Sequence, residues 1–168
     1  MPKITVAVLH GYSIGGGLQL ALACDMRIAT DDAIVGLGAT RHALVPDGAV
    51  LRLARIVGLG RAKELALLND EISAAEARAI GLVNWVCAAA DLDRTVSAIV
   101  AKARSAAPTA AGHTKRLLLE SFHLDPRSLI EEVVRAQNEC LASWEIAEAN
   151  AAWQEKREAR FYPPKESS

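Results

Sequence analysis

The sequence predicts an α/β protein, with a mixed strand-and-helix region over residues 1–90 and a helical region over residues 91–168. Three observations carry this. Ile4-Thr5-Val6-Ala7-Val8-Leu9 is a β-branched, almost wholly apolar run, the pattern of a strand buried on both faces. It leads into Gly15-Gly16-Gly17 and then a Leu- and Ala-rich segment, giving the order strand, turn, helix. From Leu92 onward the chain offers only helix-like segments, punctuated by caps and prolines.

The elements follow in order. A buried opening strand needs neighbours on each side, so the chain either lacks its preceding strands or receives them from elsewhere. Leu18–Cys24 reads as a short helix. Met26–Ala29 and Ile34–Gly36 read as short strands around the polar turn Thr30-Asp31-Asp32. Residues 36–48 form a loop-like stretch holding Arg41, His42, Pro46 and Asp47, and "GRAKELALLN" (Gly60–Asn69) is an amphipathic helix. Ser73 and Glu76 form a capping box for a helix that stops at Gly81, and Leu82–Cys87 follows as a strand. Helices are predicted over Leu92–Ala106, ended by Pro108, and over Gly112–Phe122. Ser128 and Glu131 read as a second capping box, opening a long helix toward Asn150 that Trp153–Phe161 extend or follow. The tail Pro163–Ser168 should fray.

Composition narrows the function. Hydrophobic residues make up 51% of the 168 and charged ones 23%, as in a soluble globular protein. A net charge of −1 and 4% aromatics give no reason to expect nucleic acid or an anionic membrane as partner. No apolar run approaches a membrane span, and no signal peptide is visible. Cys24, Cys87 and Cys140 lack metal-ligand spacing and read as buried reduced thiols of a cytoplasmic protein; no metal site is expected.

The chemistry concentrates in "HGYSIGGGLQLALACD" (His10–Asp25), which has two incompatible readings. Gly11-Tyr12-Ser13-Ile14-Gly15 fits G-x-S-x-G, the nucleophile elbow of serine hydrolases. That reading needs an acid and then a histidine downstream, for which Asp91 or Asp93 with His113 or His123 supply only the order. In the other reading, Gly15-Gly16-Gly17 before a helix offers bare backbone N–H groups to an oxyanion. Ser13 is then a turn residue whose hydroxyl bonds local backbone.

The second reading gains from the rest of the chain. Ile4–Asp25, then "PDGAVLRLARIVGLGRAKELALLNDEISAAEARAIGLVNWV" (Pro46–Val86) and "WQEKREARF" (Trp153–Phe161), closely resemble the crotonase family, the enoyl-CoA hydratases and isomerases. The match runs over nearly all of this chain but only over the later part of a usual member. The resemblance implies a crotonase-like ββα spiral core over residues 1–90, later part only, and a C-terminal helical oligomerisation region over residues 91–168.

It also implies residue roles. Gly16 matches one of two backbone donors that hold the thioester carbonyl, the second lying upstream of anything matching Met1. Gly15 and Gly17 are then turn and packing residues. Gln19 and Ala39 stand where a hydratase carries its glutamates. Gln19 can orient a water but cannot take its proton, and Ala39 can do neither. Asp47 matches a working aspartate of some isomerases and a dehalogenase-like branch, although x-P-D-G is also an ordinary turn signal. His42 and Arg41 border the same loop, and Asp25 closes the central helix by bonding local backbone. Trp153 and Lys156 match contacts to the adenine and phosphate end of coenzyme A. The family further implies an acyl-CoA thioester as substrate, with coenzyme A as its carrier and no separate cofactor. It implies lyase or isomerase activity in fatty acid metabolism, and a homo-trimer or hexamer. A chain that only folds, binds or assembles is the alternative.

Overall fold

The computed structural model describes residues 1–162. Two compact units emerge, Thr5–Val96 and Met1–Ile4 together with the chain from Ser97 onward. The first unit is built from β1 (Val6–Leu9), β2 (Tyr12–Ile14), α1 (Gly16–Ala23), β3 (Met26–Thr30) and β4 (Ile34–Gly36). It continues through α2 (Asp47–Val50), α3 (Leu53–Val57), α4 (Leu59–Lys63), β5 (Ile72–Ser73), α5 (Ala74–Ala79) and β6 (Trp85–Cys87). Helix α6 (Leu92–Arg104) follows, then α7 (Pro108–Glu120), α8 (Pro126–Leu141) and α9 (Trp144–Glu155).

The strands sort into two sheets. One has the order β1-β3-β6, all parallel, and the other the order β2-β4-β5, in which β2 and β4 are parallel and β4 and β5 antiparallel. The chain therefore gives a strand to one sheet, a strand to the other and then a helix, and repeats: β1-β2-α1, then β3-β4 and, after an excursion, α5. This is the ββα spiral. The two strands expected around the Thr30 turn exist but do not pair, because each continues a different sheet.

A contiguous core fills the spiral, with Leu9, Leu18, Leu22, Val35, Leu37, Leu53, Leu82 and Val83 all buried. At its centre lies an unforeseen charge. Arg27 is 4% exposed, and its guanidinium donates to the carbonyls of Leu82 (2.7 Å), Cys24 (2.9 Å) and Ala21 (3.2 Å). Burial pushes Arg27 below its usual range, and nearby Cys24 and Asp25 oppose that shift. The guanidinium thus closes the C-terminus of α1, where helix carbonyls have no intrahelical partner.

Several expectations change. Val8 is 40% exposed, so the opening strand is not buried on both faces: among the described residues β1 pairs with β3 alone, and Ala7 and Leu9 meet the core. The three cysteines are free but half-buried. Asp25 bonds across the fold as well, accepting from Thr5 N (2.7 Å) and Thr5 Oγ1 (2.8 Å), twenty residues earlier. "GRAKELALLN" is α4 continued by a π-helical turn, Glu64–Leu68.

The Ser73–Glu76 capping box is present in full. The second one is not. Asp125 caps α8 by accepting from Arg127 N (3.0 Å) and Ser128 N (3.1 Å), with Pro126 in the first turn, so Ser128 and Glu131 already lie inside the helix. The long helix toward Asn150 breaks at Ala142–Ser143 into α8 and α9. Helix α7 has no cap of its own from Ala107. Glu145 of α9, 6% exposed, accepts from Thr109 N and from Thr109 Oγ1 (3.0 Å) instead. The expected frayed tail, Pro163–Ser168, lies outside the described residues.

Candidate active site

The opening motif resolves into strand, corner and helix. Gly15 makes the corner with φ +59°, a conformation open to glycine at little steric expense. Its N–H donates to Gly36 O (2.9 Å) and its carbonyl accepts from Gln19 N (3.0 Å), so Gly15 is spent on holding the turn. Gly16 opens α1, and as a first-turn residue its N–H has no carbonyl within the helix to bond. A Cβ built on Gly16 would meet nothing within 4 Å, so its N–H can be approached closely. The same holds for Gly17, where a Cβ would meet nothing among the described residues, so the packing expected of it is not seen there.

A cavity of about 520 Å³ opens at this helix head. Ile14, Gly15, Gly16, Gln19, Leu37, Gly38, Ala39, His42, Leu44, Val45 and Asp47 line it. The structure thus gathers Gly16, Gln19, Ala39, His42 and Asp47 from three separate stretches; Arg41 is not among the lining residues. Ala39 and His42 sit on one 3₁₀ turn, Ala39–His42, and Asp47 is the first residue of α2. Thr40 anchors that turn from behind, its Oγ1 meeting Ala66 O (3.0 Å) and Asn69 Oδ1 (2.9 Å) beside the π-helical turn.

The polar wall has one arrangement that sequence reasoning missed. Gly48 N donates to Gln19 Oε1 (2.7 Å) and also to Asp47 Oδ1 (2.8 Å). A Cβ on Gly48 would stand 3.1 Å from Gln19 Oε1 and 3.3 Å from Gln19 Cβ, so the glycine lets α2 approach α1 this closely. The x-P-D-G signal was legible; the partner, 29 residues earlier, was not.

Ser13 lies within β2 opposite Val35, two residues before the corner, and an elbow nucleophile would stand at the corner itself. Among the described residues its hydroxyl makes no hydrogen bond, which corrects the local bond expected for it. The supposed triad partners are engaged elsewhere: Asp91 with Arg94 (2.9 Å) and His113 with Glu139 (2.9 Å).

These features meet known proteins. The enoyl-CoA hydratase/isomerase family model matches residues 1–164. The chain belongs to the enoyl-CoA hydratase/isomerase family. A candidate enoyl-CoA hydratase/isomerase of Bacillus subtilis, YngF, is 35% identical over 96% of this chain and 62% of that protein. The enoyl-CoA hydratase of Bacillus anthracis has the same fold at a TM-score of 0.89 and 32% identity, over 96% of this chain and 64% of that one. A candidate enoyl-CoA hydratase from Thermobifida fusca, solved with acetoacetyl-CoA, is 38% identical at a TM-score of 0.79, over 84% of this chain and 56% of that one. This family member thus spans less than two thirds of each of these relatives.

In the second unit, Trp153 is 82% exposed on the last turn of α9, and Lys156, with φ +55°, is exposed just beyond the helix end. Among the described residues no helix is long and apolar enough to cross a membrane.

Proposed function

We propose that this chain binds an acyl-CoA thioester in the cavity at the head of α1, where Gly16 N–H polarises the thioester carbonyl and stabilises an enolate. The observation that carries the reading is the division of labour in the glycine triplet. Gly15 is consumed by the sheet, whereas Gly16 presents an unused donor at the cavity and the positive end of α1 behind it. One such donor contributes about 2.7–4 kcal/mol to a transition state that develops negative charge. On the family resemblance, the exposed Trp153 and Lys156 would meet the adenine and phosphate end of a coenzyme A held by a neighbouring copy of the chain, an ammonium beside phosphate being a favourable pair. Three free cysteines suit a cytoplasmic site of action, and the family's place in fatty acid metabolism would extend to this chain.

A second reading, a member that folds and binds with little turnover, has a specific observation in its favour. Hydration needs a base for the water and an acid for the α-carbon. Gln19 is neutral and its oxygen is held by Gly48, and Ala39 has no proton to move. Asp47 is the one carboxylate in the cavity wall, so residual chemistry would be proton transfer between carbons, isomerase-like and dependent on Asp47.

Isothermal titration with acetyl-CoA and crotonyl-CoA, followed by product analysis, separates these outcomes. Saturable binding is expected, with crotonyl-CoA hydration weaker than that of a full-length relative by roughly 10²–10⁴-fold, the contribution of general acid–base catalysis. No binding of either thioester would refute the acyl-CoA reading. Hydration at a relative's rate would refute the roles given to Gln19 and Ala39.

A further inference from the structure

We infer that Gln19 is a specificity-determining donor, and that its amide NH2 selects acyl thioesters carrying a ketone oxygen on carbon 3. The inference rests on the acyl-CoA reading above and names the acyl group.

The orientation of the Gln19 amide follows from chemistry. The backbone N–H of Gly48 can only donate, so the atom facing it at 2.7 Å must be the oxygen. That contact is close, since a methyl group on Gly48 would stand 3.1 Å from Gln19 Oε1 and 3.3 Å from Gln19 Cβ. With Oε1 committed, Nε2 is the polar atom left to the cavity that Gln19 lines. Among the described residues it has no hydrogen-bond partner. Gln19 is therefore a donor of fixed direction, neither a base nor a freely rotating amide.

Position identifies what it would meet. Gly16 and Gln19 are three residues apart on α1, hence neighbours on one helix face. A ligand whose thioester oxygen meets Gly16 N–H brings its carbon-3 substituent toward Gln19. Two donors in a row match two acceptors in a row, the thioester oxygen and a ketone one methylene away. A carboxylate there would face Asp47 in the same wall and be repelled. A ketone oxygen is an acceptor only and needs nothing beyond Nε2, whereas a hydroxyl must also place its own proton.

Titration of the full chain with acetoacetyl-CoA, butyryl-CoA and 3-hydroxybutyryl-CoA tests this. Acetoacetyl-CoA should bind about tenfold more tightly than butyryl-CoA, the worth of one well-placed hydrogen bond. In Gln19→Leu that preference should vanish, the ratio of the two affinities falling to about one. Gln19→Glu keeps an acceptor for Gly48 N–H but turns a second oxygen to the ligand, so it should discriminate against acetoacetyl-CoA. Equal affinity for acetoacetyl-CoA and butyryl-CoA in the parent chain, or an unchanged preference in Gln19→Leu, overturns the inference alone. So does a preference for 3-hydroxybutyryl-CoA. Loss of all three ligands in both variants, with native circular dichroism, makes Gln19 structural and also overturns it. A parent chain that binds none of the thioesters overturns the acyl-CoA reading itself.

Discussion

Gly48 shows how much a single missing methyl group can hold in place. Gly48→Ala would improve local helix propensity by up to about 1 kcal/mol. Against that, the new Cβ stands 3.1 Å from Gln19 Oε1 and 3.3 Å from Gln19 Cβ. The amide end can swing aside, but the Cβ is fixed by α1, so the two helices must part by a few tenths of an ångström. The opposing effects are similar in size, and net stability should move by less than about 1 kcal/mol. Ligand binding should not be spared, because the Gln19 amide loses its anchor. Denaturant unfolding set beside acetoacetyl-CoA titration checks this: a variant as stable as its parent but weaker in affinity is the expected outcome. Unchanged affinity would mean that the Gly48–Gln19 bond does not shape the cavity.

Among the elements, helix ends are where charge and capping decide the geometry. Arg27 joins the end of α1 to Leu82, the residue that follows α5 and its Gly81 turn. Arg27→Met keeps much of the volume but leaves buried carbonyls unpaired, at about 1–3 kcal/mol each. We expect a loss of about 3 kcal/mol or more in urea unfolding, with α1 loosened at the end away from Gly16. A loss under about 1 kcal/mol would show that water or backbone shifts can replace the guanidinium. The same logic explains α7, whose missing local cap comes from Glu145 on α9. It explains α8 as well, where Asp125 and Pro126 set the start three residues ahead of Ser128.

At the scale of the whole molecule, pH and association are the readouts. Glu148, bonded to Arg157 and to Arg160 N, has its pKa lowered to about 2, the Arg157 hydrogen bond being the main cause. A lowered carboxylate value stabilises the fold fully above the ordinary glutamate range. That contribution is lost as the pH falls from about 4.5 toward 2. The thermal midpoint of the parent should therefore drop across that window, and Glu148→Gln should flatten the drop while lowering the midpoint at neutral pH. An identical pH profile in both proteins would remove the pair from the acid response. The exposed apolar residues Ile130, Val133, Val134 and Leu141 of α8 and Trp144 of α9 support the proposal that copies associate, as trimers or hexamers. Light scattering showing a clean monomer at micromolar concentration would contradict it.

The sequence by itself determined the local signs: the apolar strand, the glycine corner, the Ser73–Glu76 box and the family resemblance. These depend on side-chain period, on glycine's freedom near φ +59° and on caps closed within four residues, all written in adjacent positions. Short strands without periodicity, β2 and β5, left no such mark; three and two residues long, they exist because β4 pairs with both. Tertiary structure alone decided the rest. The Ser128–Glu131 pattern failed because a stronger cap stood just before it, and the continuous helix failed at Ala142–Ser143. Arg27, Glu145 and the Gly48–Gln19 bond find partners 55, 36 and 29 residues away. A hydrogen bond over that separation depends on where the spiral returns the chain, and no local pattern of residues encodes that return.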